Sequence, residues 1–187
     1  MITNKGTKTL YTERLILRRF IPDDADAMFR NWAGDERVTR YLTWPPHKSP
    51  DETKELLKLW CDSYEKQNTY NWAMEYDGKV IGNISVVELN EKSERASLGY
   101  CMGHAYWNKG LMTEAVKAVS SYLFSEIGVN RIGISHAVKN PASGKVAGKC
   151  GFTYEGTMRE YFKSSAGEFL DISYHGILRS EWEKKNS

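Results

Sequence analysis

Hydrophobic residues repeat along the chain with two periods, first that of a strand and then that of a helix. In Thr12–Phe20, Leu15 and Leu17 share one side, which Ile21 continues after a charged break at Arg19, and this alternation predicts a half-buried strand that Pro22 ends. Asp23 or Asp24 is expected to cap the helix that follows, because small polar side chains accept hydrogen bonds from the first helical amides. The apolar residues of that helix recur at helical spacing, at Ala25, Met28, Phe29 and Trp32.

A second helix is predicted to start at Ser49. Its hydroxyl can accept from first-turn amides, Pro50 suits the first helical position, and Glu52 can complete a capping box. The apolar stripe of this helix consists of Leu56, Leu57, Trp60 and Tyr64. The segment between the two helices, Tyr41–His47, is too aromatic for an ordinary solvated loop, and it either lines a pocket or covers the edge of the core.

The middle of the chain has the pattern of an antiparallel meander. Asn71–Tyr76 and Lys79–Val87 flank an Asp-Gly pair, which is favoured in tight type I′ hairpins. Arg95–Met102 follows as a further strand, and Gly99 within it indicates a bulge or a close backbone approach.

Helices and strands alternate in the rest of the chain. The pattern predicts a helix over Leu111–Ile127, a strand over Arg131–Val138, a short helix over Pro141–Lys149 and a hairpin of Phe152–Phe162 with Glu168–Leu178. A meander followed by a strand–helix–strand crossover indicates an α/β fold in which one mixed sheet of seven strands carries helices on both faces.

The composition restricts the classes of function. The chain has 187 residues, a formal net charge of +2 and a mean hydropathy of −0.57, which suits one domain, residues 1–187. The absence of a long apolar run and the polar start of the chain speak against membrane insertion and secretion. Weak net charge and scattered tryptophans speak against nucleic-acid binding. Cys61, Cys101 and Cys150 are too widely spaced for a disulfide framework or a zinc site, so we expect a reduced, cytoplasmic protein without a metal.

The segment His104–Ala115 joins a strand to a helix and has the chemistry of an anion site. Gly110 permits a tight turn, Lys109 adds a cation, and the first amides of the helix that starts at Leu111 have no partners within it. Such a turn can bind a pyrophosphate, although a single glycine before a helix also occurs in ordinary turns. The glycines of a Walker loop or a dinucleotide fingerprint are missing.

A second polar pair lies one strand later, at the start of the short helix. Asn140 is a suitable helix cap, which explains it structurally, but capping through its carbonyl leaves the NH2 group free for a ligand. Ser143, one turn further, can point its hydroxyl toward the strand ends.

These motifs together resemble the GNAT N-acetyltransferases, and more closely the ribosomal-protein N-acetyltransferases of the Rim type. The resemblance covers roughly Tyr11 to Trp182 and thus the predicted core of the domain. It rests on Thr12–Arg18, Tyr41–Trp44, Leu98–Tyr100, Tyr106–Ala115, Asn140 with Ser143, Gly151-Phe152 and Asp171 before Ile177-Leu178.

The resemblance implies acetyl-CoA as the cosubstrate. The strands Arg95–Met102 and Arg131–Val138 would part to admit its pantetheine arm, with the pyrophosphate on the backbone of Asn108–Thr113. Trp107 and Met112 depart from the usual phosphate loop, which has Arg or Gln and then a small residue at those positions. The cofactor-binding residues implied are Tyr100, Cys101, Met102, Asn108, Lys109, Gly110, Leu111, Met112, Thr113, Asn140 and Ser143.

Two catalytic groups common in that family are replaced. Ser97 stands in place of a strand glutamate, and Ala147 in place of a tyrosine on the short helix. Ser143 is therefore our candidate for contact with the departing sulfur, and Glu160 for the general base, by analogy with the Rim branch. Glu88 is the reserve base, and a water chain without a single base is an alternative.

Other reactive side chains are expected to be structural. His136 and His175 are interpreted as strand histidines with satisfied hydrogen bonds. Cys101 lacks a histidine–acid partner that would make it a nucleophile, and Cys150 falls on the core face of its helix.

The resemblance implies transfer of an acetyl group to a primary amine, and it favours a protein α-amino group, as in the ribosomal-protein type, over a small molecule. A polyamine or aminoglycoside acceptor would need carboxylates in the cleft, which Asp51, Glu52 and Glu55 are candidates to supply. The alternative class is an acyl-CoA-binding module without catalysis, which the replaced groups motivate. Exposed edge strands and aromatic loops favour a homo-oligomer.

Overall fold

The computed structural model describes residues 1–186 and arranges their strands in one sheet. Within those residues the sheet has eight strands in the order β1-β2-β3-β4-β5-β6-β8-β7, and only the β5–β6 pair is parallel. The strands are β1 (Leu10–Tyr11), β2 (Leu15–Arg18), β3 (Asn71–Tyr76), β4 (Lys79–Asn90), β5 (Arg95–Met102), β6 (Arg131–Ala137), β7 (Thr153–Lys163) and β8 (Phe169–Leu178).

The sheet has one more strand than the seven expected, and the difference lies at its first edge. The predicted strand Thr12–Phe20 is shorter in the structure and begins at Leu15, after a turn in which the Leu15 amide donates to the Thr12 hydroxyl over 2.8 Å. The residues before the turn, β1, pair with β2 through Leu10 and Leu17. Two residues are too short to show an alternating pattern, which is why the sequence did not reveal β1.

The predicted helices form with small changes at their ends. Ser49 accepts from the Glu52 amide over 3.3 Å, as expected of a helix cap. Asp24 does not cap: its carboxylate binds the Arg18 guanidinium at 2.8 Å and the Ile21 amide. The helices are α1 (Ala25–Met28, continued by a π-helical turn Phe29–Ala33), α2 (Glu36–Thr39), α3 (Pro50–Ser63), α4 (Leu111–Tyr122, continued by a π-helical turn Leu123–Ile127), α5 (Pro141–Lys149) and α6 (Arg179–Asn186).

Helices pack on both faces of the sheet, as predicted. On one face α4 and α5 pack through Leu111, Val116 and Ala147 against strand residues such as Trp72. On the other face Val38 of α2 joins a cluster of α1 and α3 residues, among them Met28, which also contains Ala73. Trp72 and Ala73 are neighbours on β3, so the alternation of a strand separates the two layers. In the described chain no helix is both long and apolar enough to span a membrane.

The two central strands part halfway along their length. β5 and β6 are paired from Arg95 with Arg131 as far as Leu98 with Ile134. Beyond that point β5 pairs only with β4, and β6 only with β8, within residues 1–186. Gly99 begins the part of β5 that no longer pairs with β6, and it lies beside a bulge at Val87 of β4. The predicted splay and the bulge are both confirmed, and the group that approaches Gly99 is the Val87 side chain, whose Cγ1 would lie 2.7 Å from a Cβ on Gly99.

Candidate active site

A cleft of about 610 Å³ opens where the central strands part. Its walls come from α2 and the residues after it, the end of β5, the loop before α4, and the first two turns of α5. A volume of several hundred Å³ at the ends of sheet strands is typical of a site for a small organic ligand.

Most of the residues predicted to bind a cofactor line this cleft. Lys109 and Leu111 are the exceptions, since the Leu111 side chain is fully buried in the core and the Lys109 ammonium lies 5.4 Å from the centre of the Tyr106 ring. The nine that the structure brings to the cleft are Tyr100, Cys101, Met102, Asn108, Gly110, Met112, Thr113, Asn140 and Ser143.

The loop before α4 has the backbone conformation of an anion-binding turn. Asn108 and Gly110 both have positive φ, at 61° and 77°, a region that glycine and, less readily, asparagine tolerate. The first hydrogen bond of the helix runs from the Glu114 amide to the Gly110 carbonyl over 3.1 Å. The amides before Glu114 therefore remain available to a ligand at the positive end of the helix dipole.

Trp107 holds the start of this loop against the sheet. Its indole Nε1 donates to the carbonyl of Met102, the last residue of β5, over 2.7 Å. Trp107, which stands where the family usually has Arg or Gln, thus makes a hydrogen bond within the protein. Because this bond joins the loop to the last residue of β5, it fixes the direction in which the loop leaves the strand.

A charged network holds the end of the loop. Arg14 donates to the Lys109 carbonyl over 3.0 Å and pairs with the Glu114 carboxylate at 2.7 Å, while the Thr12 hydroxyl binds the same carboxylate at 2.6 Å. Burial opposes ionisation of Glu114, but the hydrogen bonds from Thr12 and Arg14 outweigh it and lower the pKa of Glu114. The turn between β1 and β2 therefore positions the loop before α4.

Ser143 and Tyr100 form a hydroxyl pair in the cleft. Their hydroxyl oxygens are 2.8 Å apart, with Ser143 in the first turn of α5 and Tyr100 in the part of β5 that no longer pairs with β6. Burial raises the pKa of Tyr100 to about 12, against the opposing effect of its hydrogen bond with Ser143. Tyr100 therefore stays protonated at neutral pH and can act as a donor. Ala147, which occupies the position of the family tyrosine, is fully buried one turn further along α5.

Asn140 precedes α5 and faces the cleft with its side chain free of capping. The expectation that its carbonyl caps the helix was wrong: its side chain makes no capping hydrogen bond. Both polar atoms of the amide are therefore available to a ligand.

The cysteines are unreactive thiols in this environment. Cys101 lies on the cleft wall, and burial raises its pKa to about 12. Cys150 packs against the core, donates to the Thr113 carbonyl over 3.4 Å, and has its pKa raised by burial to about 11. Because the thiolate is the nucleophilic form, neither side chain is poised for covalent chemistry.

Neither candidate base lies on the cleft wall. Glu160 is exposed in a bulge of β7, with a φ of 48°, and its amide donates to the Asp171 carboxylate over 2.8 Å. The carboxylate of Glu88 binds Arg95 at 2.6 Å. Among residues 1–186 no Asp or Glu lines the cleft, so the role of Glu160 as the base stays a prediction.

The aromatic segment Tyr41–His47, which follows α2, both lines a pocket and covers the edge of the core. Tyr41 and Leu42 line the cleft, and Tyr41 also packs against a small core cluster of Ala137, Leu170 and Ile172. Trp44 instead packs against the core beside α1 and α3.

Five basic side chains of the cleft were not predicted from the sequence: Arg37, Arg40, His104, Lys145 and Lys149. Lys145 and Lys149 are one helical turn apart on α5, a spacing that could have indicated a shared basic face. The arginines of α2 carried no such signal, because only the fold brings α2 to the cleft.

His136 and His175 are not the satisfied strand histidines that we expected. Their rings stack at 5.2 Å, and within the described residues the buried His136 Nε2 and His175 Nδ1 have no hydrogen-bond partner. Burial and the neighbouring His136 lower the pKa of His175. The pairing of β6 with β8 brings the two rings together, and Gly144 of α5 lies against His136.

Comparison with known proteins identifies the class to which this fold and cleft belong. Residues 14–153 match the acetyltransferase (GNAT) domain family. The chain therefore belongs to the GNAT family of N-acetyltransferases, as its motifs predicted.

The chain is similar to curated relatives over most of its length. It is 31% identical over 177 residues to "Uncharacterized N-acetyltransferase p20" of Bacillus licheniformis, covering 94% of this chain and 98% of the relative. It is 28% identical over 174 residues to "Putative ribosomal N-acetyltransferase YdaF" of Bacillus subtilis (strain 168), covering 91% and 94%. It is also 28% identical over 142 residues to "Spermidine N(1)-acetyltransferase" of Escherichia coli (strain K12), covering 76% and 72%.

A solved structure confirms the fold. RimL, a ribosomal L7/L12 alpha-N-protein acetyltransferase in complex with coenzyme A, superposes with a TM-score of 0.83 at 19% identity, covering 91% of this chain and 98% of that one. At this identity the likeness concerns the fold alone.

Proposed function

We propose that the protein transfers an acetyl group from acetyl-CoA to the α-amino group of a protein N-terminus. The single observation that carries the choice of acceptor is the charge of the cleft: among residues 1–186 its walls hold basic side chains and no carboxylate. Such a wall repels a polycation and accepts the phosphates of the cosubstrate.

The cosubstrate would lie between α4 and α5 and reach through the parted strands. The free amides before Glu114 bind its pyrophosphate, and Lys145 and Lys149 add positive charge on the side of α5. The edge of β5 that faces away from β4 from Gly99 onward, where pairing with β6 has ended, offers hydrogen bonds to the amides of the pantetheine arm. When bound, acetyl-CoA supplies the activated acetyl group.

The hydroxyl pair would then assist the departing sulfur. Attack of a neutral amine on the thioester forms the C–N bond of the amide and breaks the C–S bond, so the nitrogen loses one proton and the departing thiolate needs one, or a hydrogen bond until it is protonated. Ser143 donates to the sulfur, and Tyr100 donates to Ser143 and keeps its hydroxyl oriented. An acceptor α-amino group, with a pKa of about 7.7–8.0, is largely available as the free amine near pH 8, whereas a lysine at about 10.4 is not. A weak or absent general base is therefore less damaging for an N-terminal acceptor.

A small polyamine is the competing acceptor, since one relative is named for spermidine. The three carboxylates that the sequence offered for attracting a polyamine do not line the cleft. Asp51, Glu52 and Glu55 are exposed on α3, where Glu52 binds the Lys48 amide at 2.8 Å and Asp51 pairs with Lys54.

A panel of acceptors tests the proposal through release of the CoA thiol. Peptides with free N-termini are compared with the same peptides N-terminally blocked but carrying a lysine, and with spermidine and an aminoglycoside. We expect turnover with the free N-termini only. Turnover on spermidine or the aminoglycoside alone would refute a protein acceptor. Tight CoA binding without thiol release for every amine would instead support a non-catalytic acyl-CoA-binding module.

A further inference from the structure

One arginine on the cleft wall has no carboxylate partner. Arg40 follows α2 and lies over the Tyr41 ring, with its guanidinium carbon 5.4 Å from the ring centre, and both residues line the cleft. Within residues 1–186 its guanidinium is bonded to no Asp or Glu. The other arginine of α2, Arg37, is neutralised by Asp35 at 2.6 Å.

The position of Arg40 in the fold assigns it to the acceptor side of the cleft. The loop and helices that would hold the cosubstrate, α4 and α5, pack on one face of the sheet. Val38 of α2 packs with α1 and α3 on the opposite face, so α2 and Arg40 approach the gap between β5 and β6 from that face. A second substrate must reach the thioester from the side that the cosubstrate leaves open, which is the side of Arg40.

A guanidinium stacked on an aromatic ring is oriented for a planar anion. Stacking on Tyr41 restricts the Arg40 side chain, so less conformational freedom is lost when its fork of donors binds a carboxylate through two hydrogen bonds. Since no Asp or Glu among residues 1–186 lines the cleft, the carboxylate has to come from the ligand.

We propose that Arg40 binds an acidic side chain next to the amine that is acetylated, so that the preferred acceptors are polypeptides with Asp or Glu close to a free N-terminus. This inference rests on the proposed function and narrows its substrate class. Arg40 is thereby a specificity-determining residue on the acceptor side, separate from the residues that hold acetyl-CoA.

Matched peptides test the inference. The full-length protein is assayed with two otherwise identical peptides whose second and third residues are Glu or Gln, and kcat/KM is measured for each at fixed, saturating acetyl-CoA. We expect the Glu peptide to be preferred roughly 2- to 5-fold, the scale of one exposed ion pair, because Arg40 is exposed. Arg40→Gln should abolish the preference and leave the KM for acetyl-CoA within twofold, whereas Arg40→Lys should retain part of it. Arg37→Gln is the matched control, and its effect on the preference should be smaller because Asp35 already neutralises that arginine.

Each other outcome contradicts a defined part of the reasoning. Equal turnover of the two peptides would overturn the role of Arg40 and leave the proposed function intact. A large rise in the KM for acetyl-CoA in Arg40→Gln would assign the arginine to the cosubstrate and also overturn the inference. No turnover of any peptide would overturn both proposals. Circular dichroism and thermal unfolding of each variant show that it is folded.

Discussion

Replacement of Tyr100 by phenylalanine tests the hydroxyl pair directly. Tyr100→Phe removes one oxygen and keeps the ring, so the packing of β5 against α5 changes little. The lost interaction is a hydrogen bond of 2.8 Å between neutral hydroxyls, which contributes about 0.5–1.5 kcal/mol. Since about 1.4 kcal/mol corresponds to a factor of ten in rate, we expect kcat to fall about 2- to 10-fold. The KM for acetyl-CoA should stay within about twofold.

The double variant decides whether Tyr100 acts through Ser143. Ser143→Ala removes the group that contacts the sulfur and should reduce kcat by about 100-fold, the lower range for proton transfer by a positioned group. If Tyr100 only positions Ser143, adding Tyr100→Phe to Ser143→Ala should change kcat no further, because the two effects are coupled. The assay is steady-state release of the CoA thiol with a free-N-terminal peptide, measured between pH 6.5 and 9.

Two results would refute this reasoning. One is an equal loss from Tyr100→Phe in the wild-type and Ser143→Ala backgrounds, which would show that Tyr100 acts independently. The other is a change confined to the KM for acetyl-CoA, which would assign the pair to cosubstrate binding. Ionisation of Tyr100 should not lower the kcat of the wild-type enzyme below pH 10, because burial raises the pKa of Tyr100 to about 12.

Three further predictions concern the loop before α4 and the buried titratable groups. Arg14→Lys keeps the charge but loses the guanidinium group that donates to the Lys109 carbonyl over 3.0 Å. The KM for acetyl-CoA should therefore rise about 3- to 10-fold with little change in kcat. An unchanged KM would contradict the role of Arg14 in positioning the loop. Gly110→Ala forces a Cβ into a φ of 77° and should lower the free energy of unfolding by about 1–2 kcal/mol in urea titrations, whereas Gly110→Asn should cost less. Burial raises the pKa values of Tyr64 and Cys101 to about 12. From about pH 9 to 12 the unfolded chain therefore binds fewer protons than the native one, and the free energy of unfolding should fall as the pH rises. A free energy of unfolding that stays constant across that range would contradict the burial of these groups.

The candidate site was predictable where its chemistry depends on neighbours along the chain. The tight turn before α4 follows from Gly110, which takes the positive φ that a side chain disfavours, and the unpaired amides follow from the start of a helix. Ser143 could be placed at the start of α5 from Pro141 alone. The alternation of apolar and polar residues likewise predicted every strand longer than two residues.

Contacts between distant segments were decided by the tertiary structure. Tyr100 and Ser143 are 43 residues apart, and their hydroxyls meet only because β5 separates from β6 next to α5. Arg40 reaches the cleft because α2 packs on the face opposite α4, and Glu160 is held outside the cleft wall by a bulge in β7.

The sequence by itself therefore determined the family, the anion-binding turn and the elements other than β1, α2 and α6. Hydrogen bonds within a turn of helix and side-chain alternation along a strand depend on residues a few positions apart, so a linear pattern records them. The hydroxyl pair, the stacked histidines and the charge of the cleft depend on the order of strands in the sheet and on where two of them part. Those distances exist only once the chain is folded, and no local pattern encodes them.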